Sequence, residues 1–127
     1  MEYLNISALV GKTLTGIERR GDDELIFTTS EGERFSMQHL QGCCECVTIE
    51  DINGDLDDLI GSPIVTAEES TNSESDPDGY TGGRHAADSF TWTFYRIATA
   101  KGWVIIRWLG ESNGYYGEEV DFLRLPN

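Results

Sequence analysis

Short runs in which apolar and polar residues alternate recur along this chain, and they predict β-strands rather than long helices. In the run from Glu45 to Ile52, Val47 and Ile49 alternate with polar residues, as expected for a half-buried strand. The runs Phe90 to Ala98 and Trp103 to Leu109 flank a glycine-containing turn and form the strongest predicted hairpin. The remaining strands are predicted at Thr13–Arg20, Leu25–Thr29, Arg34–His39, Ile64–Glu68 and Tyr115–Leu125.

Two short helical turns and one long polar stretch complete the predicted elements. The first turn runs from Ser7 to Val10 and ends at a glycine. The second follows a capping Asp55 and ends at Gly61. The stretch at about 69–88 is rich in Ser, Gly and acidic residues, which predicts a flexible acidic loop.

Four short matches indicate an internal repeat. Ala8–Gly11 matches Asp58–Gly61, Thr29–Gly32 matches Thr99–Gly102, Gly42–Cys44 matches Gly114–Tyr116, and Val47 matches Val120. Chance similarity between glycine-containing turns, a single antiparallel sheet and a small barrel are the alternatives. We predict a single α+β domain over residues 1–127, mostly β, with repeat-like halves at about 1–52 and 53–127. Each half is a four-stranded antiparallel meander preceded by a short helical turn, so the two units are duplicates.

The charge balance restricts the partners. Nine Lys and Arg against 23 Asp and Glu give a formal net charge of -14. Such a chain repels nucleic acid and anionic membranes, and its field favours basic protein surfaces. We therefore expect no direct nucleic-acid contact and no membrane association. The three cysteines are clustered and no secretory signal precedes them, which predicts a cytoplasmic location.

The cysteine cluster is the first candidate for chemistry. His39, Cys43, Cys44 and Cys46 offer soft metal ligands within eight residues. A structural zinc site uses two spaced ligand pairs, and on a strand Cys44 and Cys46 would face away from Cys43. Half-buried structural cysteines are therefore favoured, and no cofactor is expected. Only one other histidine, His85, is present, and no catalytic motif is recognisable, so we favour a non-enzymatic protein.

The second predicted hairpin is apolar on both faces. Trp103 and Ile105 alternate with Val104, Ile106 and Trp108. A strand of this kind is either covered on both sides or presents an adhesive face. Core packing of the aromatic residues is the favoured interpretation, and a protein-binding patch is the alternative.

Four segments carry a resemblance to a known family. They are GCCECVTIEDI at 42–52, GDLDDLIGSPI at 54–64, TWTFY at 91–95 and RWLGESNGYY at 107–116. With them, nearly the whole chain resembles a family of small domains of unknown function that is common in bacteriophages and in bacteria. The resemblance implies a small cytoplasmic protein of an infected or lysogenic host cell, and it implies no catalytic residue.

This setting and the net charge give one concrete hypothesis: a non-enzymatic acidic interaction protein of the phage type. It would act as an anti-defence inhibitor that mimics nucleic acid and blocks a host nucleic-acid-binding protein through that protein's basic surface. The predicted partner-binding residues are Asp55, Asp57, Asp58, Tyr116, Glu118 and Glu119.

The alternative is a small-ligand or metal-binding domain, either a nucleotide sponge or a metal-dependent enzyme. It would use the glycine-rich loop at 110–117, with Arg84, Arg96 or Arg107 as local positive charge. An ion pair between Arg107 and a strand neighbour is the simpler role for that residue. The chain is expected to be a monomer or a homodimer that pairs through the second hairpin.

Overall fold

The computed structural model describes residues 2–82 and 88–126, which form two antiparallel sheets. The first sheet has the strand order β1-β9-β4-β3-β2 and the second the order β5-β8-β7-β6. The strands are β1 Glu2–Tyr3, β2 Leu14–Arg20, β3 Glu24–Thr29, β4 Arg34–Gln38, β5 Cys46–Asn53, β6 Thr66–Asn72, β7 Ser89–Thr99, β8 Gly102–Ser112 and β9 Asp121–Arg124. Two 3-10 turns, Ile6–Leu9 and Leu56–Leu59, precede β2 and β6.

The mostly β, antiparallel fold class is confirmed, while three details differ from the prediction. The helical component consists of 3-10 turns, and the described residues contain no α-helix. β6 continues to Asn72 because its polar residues pair with β7 along an exposed sheet edge, where apolar content is not required. The last strand begins only at Asp121, and the unpredicted β1 pairs with it. No helix among the described residues is long and apolar enough to cross a membrane.

Each half of the chain forms a three-stranded meander, and its fourth strand crosses to the other sheet. β2, β3 and β4 are consecutive neighbours, but β5 pairs with β8 of the second sheet. β6, β7 and β8 are likewise consecutive, but β9 pairs with β4 of the first sheet. The predicted four-stranded meander is therefore wrong at its last strand. Both halves make the same exchange, so each sheet combines strands of both.

Equivalent hydrogen bonds join the two halves where their 3-10 turns end. The Gly11 N–H donates to the carbonyl of Ile64 at 2.8 Å, and the Gly61 N–H donates to the carbonyl of Leu14 at 2.9 Å. The same offset of 50 residues relates both donors and both acceptors. Gly11 and Gly61 have φ values of +87° and +89°, a region that non-glycine residues rarely occupy. The turn chemistry is therefore repeated as well as the strand order.

The apolar faces of the two sheets share one core. Phe35 of β4 stacks on Phe122 of β9 with ring centroids 5.4 Å apart, within the first sheet. Trp108 of β8 is fully buried, and its Nε1 donates to the Met37 sulfur of β4 at 3.3 Å, which links the sheets. Tyr95 of β7 is also fully buried in this cluster. Packing across both sheets therefore holds the crossed strands in place.

Candidate functional site

Glu45 is a buried carboxylate immediately before β5. Its side chain is 1% exposed, and it accepts hydrogen bonds from the N–H groups of Gly42 at 2.7 Å and Cys43 at 2.8 Å. His39 donates to the same carboxylate at 2.6 Å. These donors, the histidine first, lower the pKa of Glu45 to about 2. Glu45 therefore stays ionised at neutral pH and organises the loop as an acceptor, not as a general base.

His39 lies between two groups that can only accept hydrogen bonds. Its Nε2 faces the Glu45 carboxylate, and its Nδ1 faces the backbone carbonyl of Glu119 at 2.7 Å. Burial alone would lower the pKa of His39, but its hydrogen bonds and the nearby carboxylates together raise it. Two acceptors require two N–H donors, so the ring is satisfied as the imidazolium. This contact connects the loop before β5 to the segment before β9.

The cysteines of the predicted metal cluster are separated by this arrangement. Cys43 and Cys44 are bonded to each other as a disulfide, and Cys46 is a free thiol. All three residues are exposed, so the prediction of half-buried cysteines is wrong. Partial loss of hydration around the sulfur, together with the charges of Glu111 and Asp22, raises the pKa of Cys46. A raised pKa reduces the thiolate fraction, so Cys46 lacks the activation that a nucleophilic cysteine requires.

A different set of ligand atoms comes together at His39. One ligand atom each of His39, Glu119 and Asp121 lies within 4.8 Å of the others. Both ring nitrogens of His39 already have hydrogen-bond partners, and the Asp121 carboxylate accepts the Leu40 N–H at 3.1 Å. After loss of a proton and of one of these hydrogen bonds, the His39 imidazole and the two carboxylates would suit a divalent cation of the zinc or manganese kind.

Glu118 occupies the interior although it belongs to the predicted acidic surface. It is buried, and its carboxylate accepts hydrogen bonds from the hydroxyls of Thr91, at 2.8 Å, and Ser112. Of its predicted companions, the Glu119 side chain is exposed, and Tyr116 is half-buried. Tyr116 touches the ring of Tyr115, which is 83% exposed. Only part of this group is available to a partner.

Asp55, Asp57 and Asp58 belong to the second 3-10 turn. Asp55 caps the turn, as predicted, by accepting the Asp57 N–H at 2.9 Å, and both side chains are exposed. Asp58 is half-buried, with its side chain against Gly102 and its carbonyl accepting the Thr99 hydroxyl. Asp55 and Asp57 therefore carry the exposed charge of this turn.

The structure places these two acidic groups at opposite ends of β8. Asp58 contacts Gly102, which is the first residue of β8. Glu118 accepts a hydrogen bond from Ser112, which is the last residue of β8. Ten residue steps at about 3.3 Å per residue separate these ends by roughly 30 Å. The predicted residues therefore form two groups, not one patch.

Glu45 was missed by the sequence reasoning, and a signal for it existed. Glu45, Val47 and Ile49 alternate, so all three point inward on one strand phase. Glu118, Val120 and Phe122 occupy alternate positions in the same way, and all three are buried. Two buried carboxylates, Glu45 and Glu118, thus precede the two crossed strands.

The outer face of the second sheet is closed at one end and open at the other. Trp92 of β7 is 0% exposed, and Trp103 of β8 is 53% exposed. Beside Trp92, Arg107 pairs with Glu50 at 2.6 Å and lies 5.4 Å from the indole ring, which confirms the ion-pair role expected for it. Arg84 and His85 lie outside the described residues.

Two depressions mark the open end. A cavity of about 310 Å³ is lined by β6 and β7 residues and Ile105, and one of about 370 Å³ by Trp103 and its neighbours. Both include Arg96 and Ile105, so they form a continuous surface. The inner face of the hairpin is core, as the favoured interpretation predicted, and the outer face is covered at Trp92 and exposed at Trp103.

Comparison with known proteins gives a family. A family model described as a domain of unknown function, DUF7448, matches residues 7–122. No curated protein and no solved structure matches the chain. Because the match covers all of the chain except its first six and last five residues, the chain belongs to the DUF7448 family of domains of unknown function.

Proposed function

We propose that this chain is a non-enzymatic interaction domain whose acidic surface binds a basic surface of a protein partner. The observation that carries the proposal is how the chain uses its positive charges. Among the described residues, four Lys and Arg side chains are held in ion pairs: Lys12 with Glu33, Arg20 with Glu18, Arg107 with Glu50, and Arg124 with Glu33. Arg19 and Lys101 donate to backbone carbonyls of the chain itself. Cations that are already engaged leave the excess carboxylates to face solvent and partners.

A nucleic-acid-binding protein is the partner class that this charge fits. Carboxylates in a basic groove take the place of phosphates and pair with Lys and Arg. The exposed acids at the two ends of β8 are roughly 30 Å apart, which corresponds to about nine base pairs of duplex at 3.4 Å each. This spacing supports a long groove as the target. In the phage setting that the sequence resemblance implies, the domain is an anti-defence inhibitor in the host cytoplasm.

The chemistry of the best-placed reactive groups supports binding over catalysis. The side chains of His39 and Glu45 are buried and hydrogen-bonded to each other, and the pKa of Cys46 is raised. A general base needs a free acceptor atom that can reach substrate, and a cysteine nucleophile needs a lowered pKa.

Competition with nucleic acid tests the proposal. Proteins of the host are captured on the immobilised chain, released by salt and purified, and their affinity for duplex DNA is measured by fluorescence anisotropy. We expect the chain to displace the DNA. Displacement should be weakened by Asp55→Asn combined with Asp57→Lys. Asn at position 55 preserves the cap, and the two substitutions together raise the net charge of the chain by three.

The matched control is Glu2→Gln combined with Glu31→Lys, which adds the same charge at exposed positions elsewhere. The control should compete as the unchanged chain does. Equal loss in both variants would show that only net charge matters, and a captured protein that keeps its DNA would refute the mimic.

The alternative, a metal-binding domain, is favoured by one observation: the ligand atoms of His39, Glu119 and Asp121 that lie within 4.8 Å. Calorimetric titration with Zn²⁺ and Mn²⁺ tests it. A single-site isotherm that is lost in His39→Gln would support a metal site, and a weak multi-site isotherm unchanged by the substitution would exclude it.

We also propose that the two halves of the chain are copies of one ancestral unit that exchange their fourth strands. The repeated turn hydrogen bonds and the matching buried carboxylates, Glu45 and Glu118, support a common origin. Expression of residues 1–52 alone tests the idea: a half that forms a symmetric dimer with β-sheet circular dichroism supports it, and an unfolded monomer counts against it.

A further inference from the structure

The outer face of the second sheet carries its own cover at one end. The Trp92 Nε1 donates to Asp76 at 3.0 Å, and the ring of Tyr80 meets the Trp92 ring edge-on with centroids 4.8 Å apart. Both covering residues come from the segment between β6 and β7. The segment between β6 and β7 therefore shields Trp92 on this face from solvent.

The same face continues, without that cover, toward the turn between β7 and β8. Its apolar members are Phe94 and Ala98 of β7 and Trp103 and Ile105 of β8. Ala98 lies directly opposite Trp103 in the strand pairing, so the indole stands beside a small side chain. We name this area the Trp103 surface. An indole that is 53% exposed and bordered by depressions is typical of an anchor position in protein interfaces.

Carboxylates border the Trp103 surface on two sides. Glu68 of the edge strand β6 lines its depression on one side. On the other side, Gly54 packs against the Trp103 carbonyl and leads directly into Asp55. Arg96 contributes one cation, and it lies opposite Glu68 in the strand pairing. The border is therefore acidic around an apolar centre.

We propose that the Trp103 surface is the docking site for a protein segment that combines an aromatic or aliphatic side chain with Lys or Arg residues. This inference rests on the proposed binding of a basic partner and adds where that partner docks. The apolar side chain would lie against Trp103 and Ile105. The basic residues would pair with Glu68 and with the acids of the second 3-10 turn.

Charge complementarity decides between this occupant and a second copy of the chain. A homodimer through this face would bring together two molecules of net charge -14 and place acidic borders near each other. Like charges at an interface disfavour association, whereas a basic segment gains from the same field.

Selection of peptides tests the proposal. The full chain is immobilised, a random peptide library displayed on phage is selected against it, and the dissociation constants of enriched peptides are measured by fluorescence anisotropy. We expect enriched peptides to contain Lys or Arg next to an aromatic or aliphatic residue. Trp103→Ala should weaken their binding by about tenfold or more, as expected for an aromatic anchor.

Two further variants make the test specific. Tyr115→Ala removes another exposed aromatic side chain, at the far end of β8, and should leave the affinity unchanged. Glu68→Lys should weaken binding without touching the core. Circular dichroism of each variant confirms that it folds.

The outcomes separate this inference from the proposed function. Cationic peptides whose binding ignores Trp103→Ala would overturn the docking site and leave the basic partner standing. Peptides without Lys or Arg that require Trp103 would overturn the basic partner. A dimer in sedimentation analysis that Trp103→Ala dissociates would assign the surface to a second copy, and no enrichment at all would refute docking at this face.

Discussion

Two tryptophans on the same face of one sheet should differ sharply in what they contribute to stability. Trp92 is fully buried under the chain's own segment, while Trp103 is 53% exposed. The perturbation is alanine at each position in turn. If the Trp103 surface is open to solvent as described, Trp92→Ala should be far more destabilising than Trp103→Ala.

The magnitudes follow from burial. Replacing a fully buried tryptophan by alanine costs about 3–5 kcal/mol, and the lost hydrogen bond to Asp76 places Trp92→Ala in the upper part of that range. A tryptophan side chain offers up to about 250 Å², and just under half of that, about 120 Å², is buried at Trp103. At about 25 cal/mol per Å² this area contributes roughly 3 kcal/mol as an upper limit, because the unfolded chain already buries part of it. We expect about 1–2 kcal/mol for Trp103→Ala.

Urea unfolding followed by circular dichroism measures both values without depending on tryptophan fluorescence. With a slope of about 1.5 kcal/mol per M, the midpoints of the two variants should differ by about 2 M. Trp92→Phe is the control that keeps an aromatic ring and loses the indole N–H, and its cost should lie between the two. Equal costs at the two positions, or a larger cost at Trp103, would refute the described cover and the open surface.

Four further predictions concern pH, backbone packing and solvent access. The pKa of His39 is raised, so its stabilisation is complete below pH 6.5 and is lost as pH rises through the raised value; thermal unfolding against pH should show this loss, and His39→Gln should remove it. The pKa of Glu45 is lowered from 4.5 to about 2, so its stabilisation is lost as pH falls through that interval, a loss that Glu45→Gln should abolish. Gly110→Ala would place a Cβ in collision with the backbone carbonyl oxygen of Glu118 and should cost more than about 2 kcal/mol in urea unfolding, whereas Gly16→Ala meets nothing within 4 Å and should change stability by less than about 0.5 kcal/mol. Acrylamide should quench a fraction of the fluorescence that disappears in Trp103→Phe; quenching unchanged by that substitution would contradict the exposure.

The strands could be predicted from the sequence, but their exchange between sheets could not. Alternation of apolar residues located β3, β4, β7 and β8 to within three residues at either end. The pairing of β5 with β8 and of β9 with β4 joins residues far apart in the chain, and local patterns carry no information about such partners. The second half contains one 3-10 turn and four strands, as predicted, and the first half contains the unpredicted β1 in addition to its turn and four strands.

The candidate site was predictable where strand phase applies and unpredictable where a distant segment intervenes. Glu45 and Glu118 share a phase with buried apolar residues, so their burial followed from the sequence, although acidic residues are usually assigned to the surface. Trp92 and Trp103 have equivalent patterns, and only the segment carrying Asp76 and Tyr80 distinguishes them. That contact depends on tertiary structure.

The salt dependence of the complex with a captured host protein tests the central claim most directly. The dissociation constant of the chain with that protein is measured between about 50 and 200 mM salt, with duplex DNA present and absent. An acidic domain in a basic nucleic-acid groove predicts steep weakening with salt and mutual exclusion with DNA. A complex that is insensitive to salt, or one that forms equally well on the DNA-bound protein, would contradict the account.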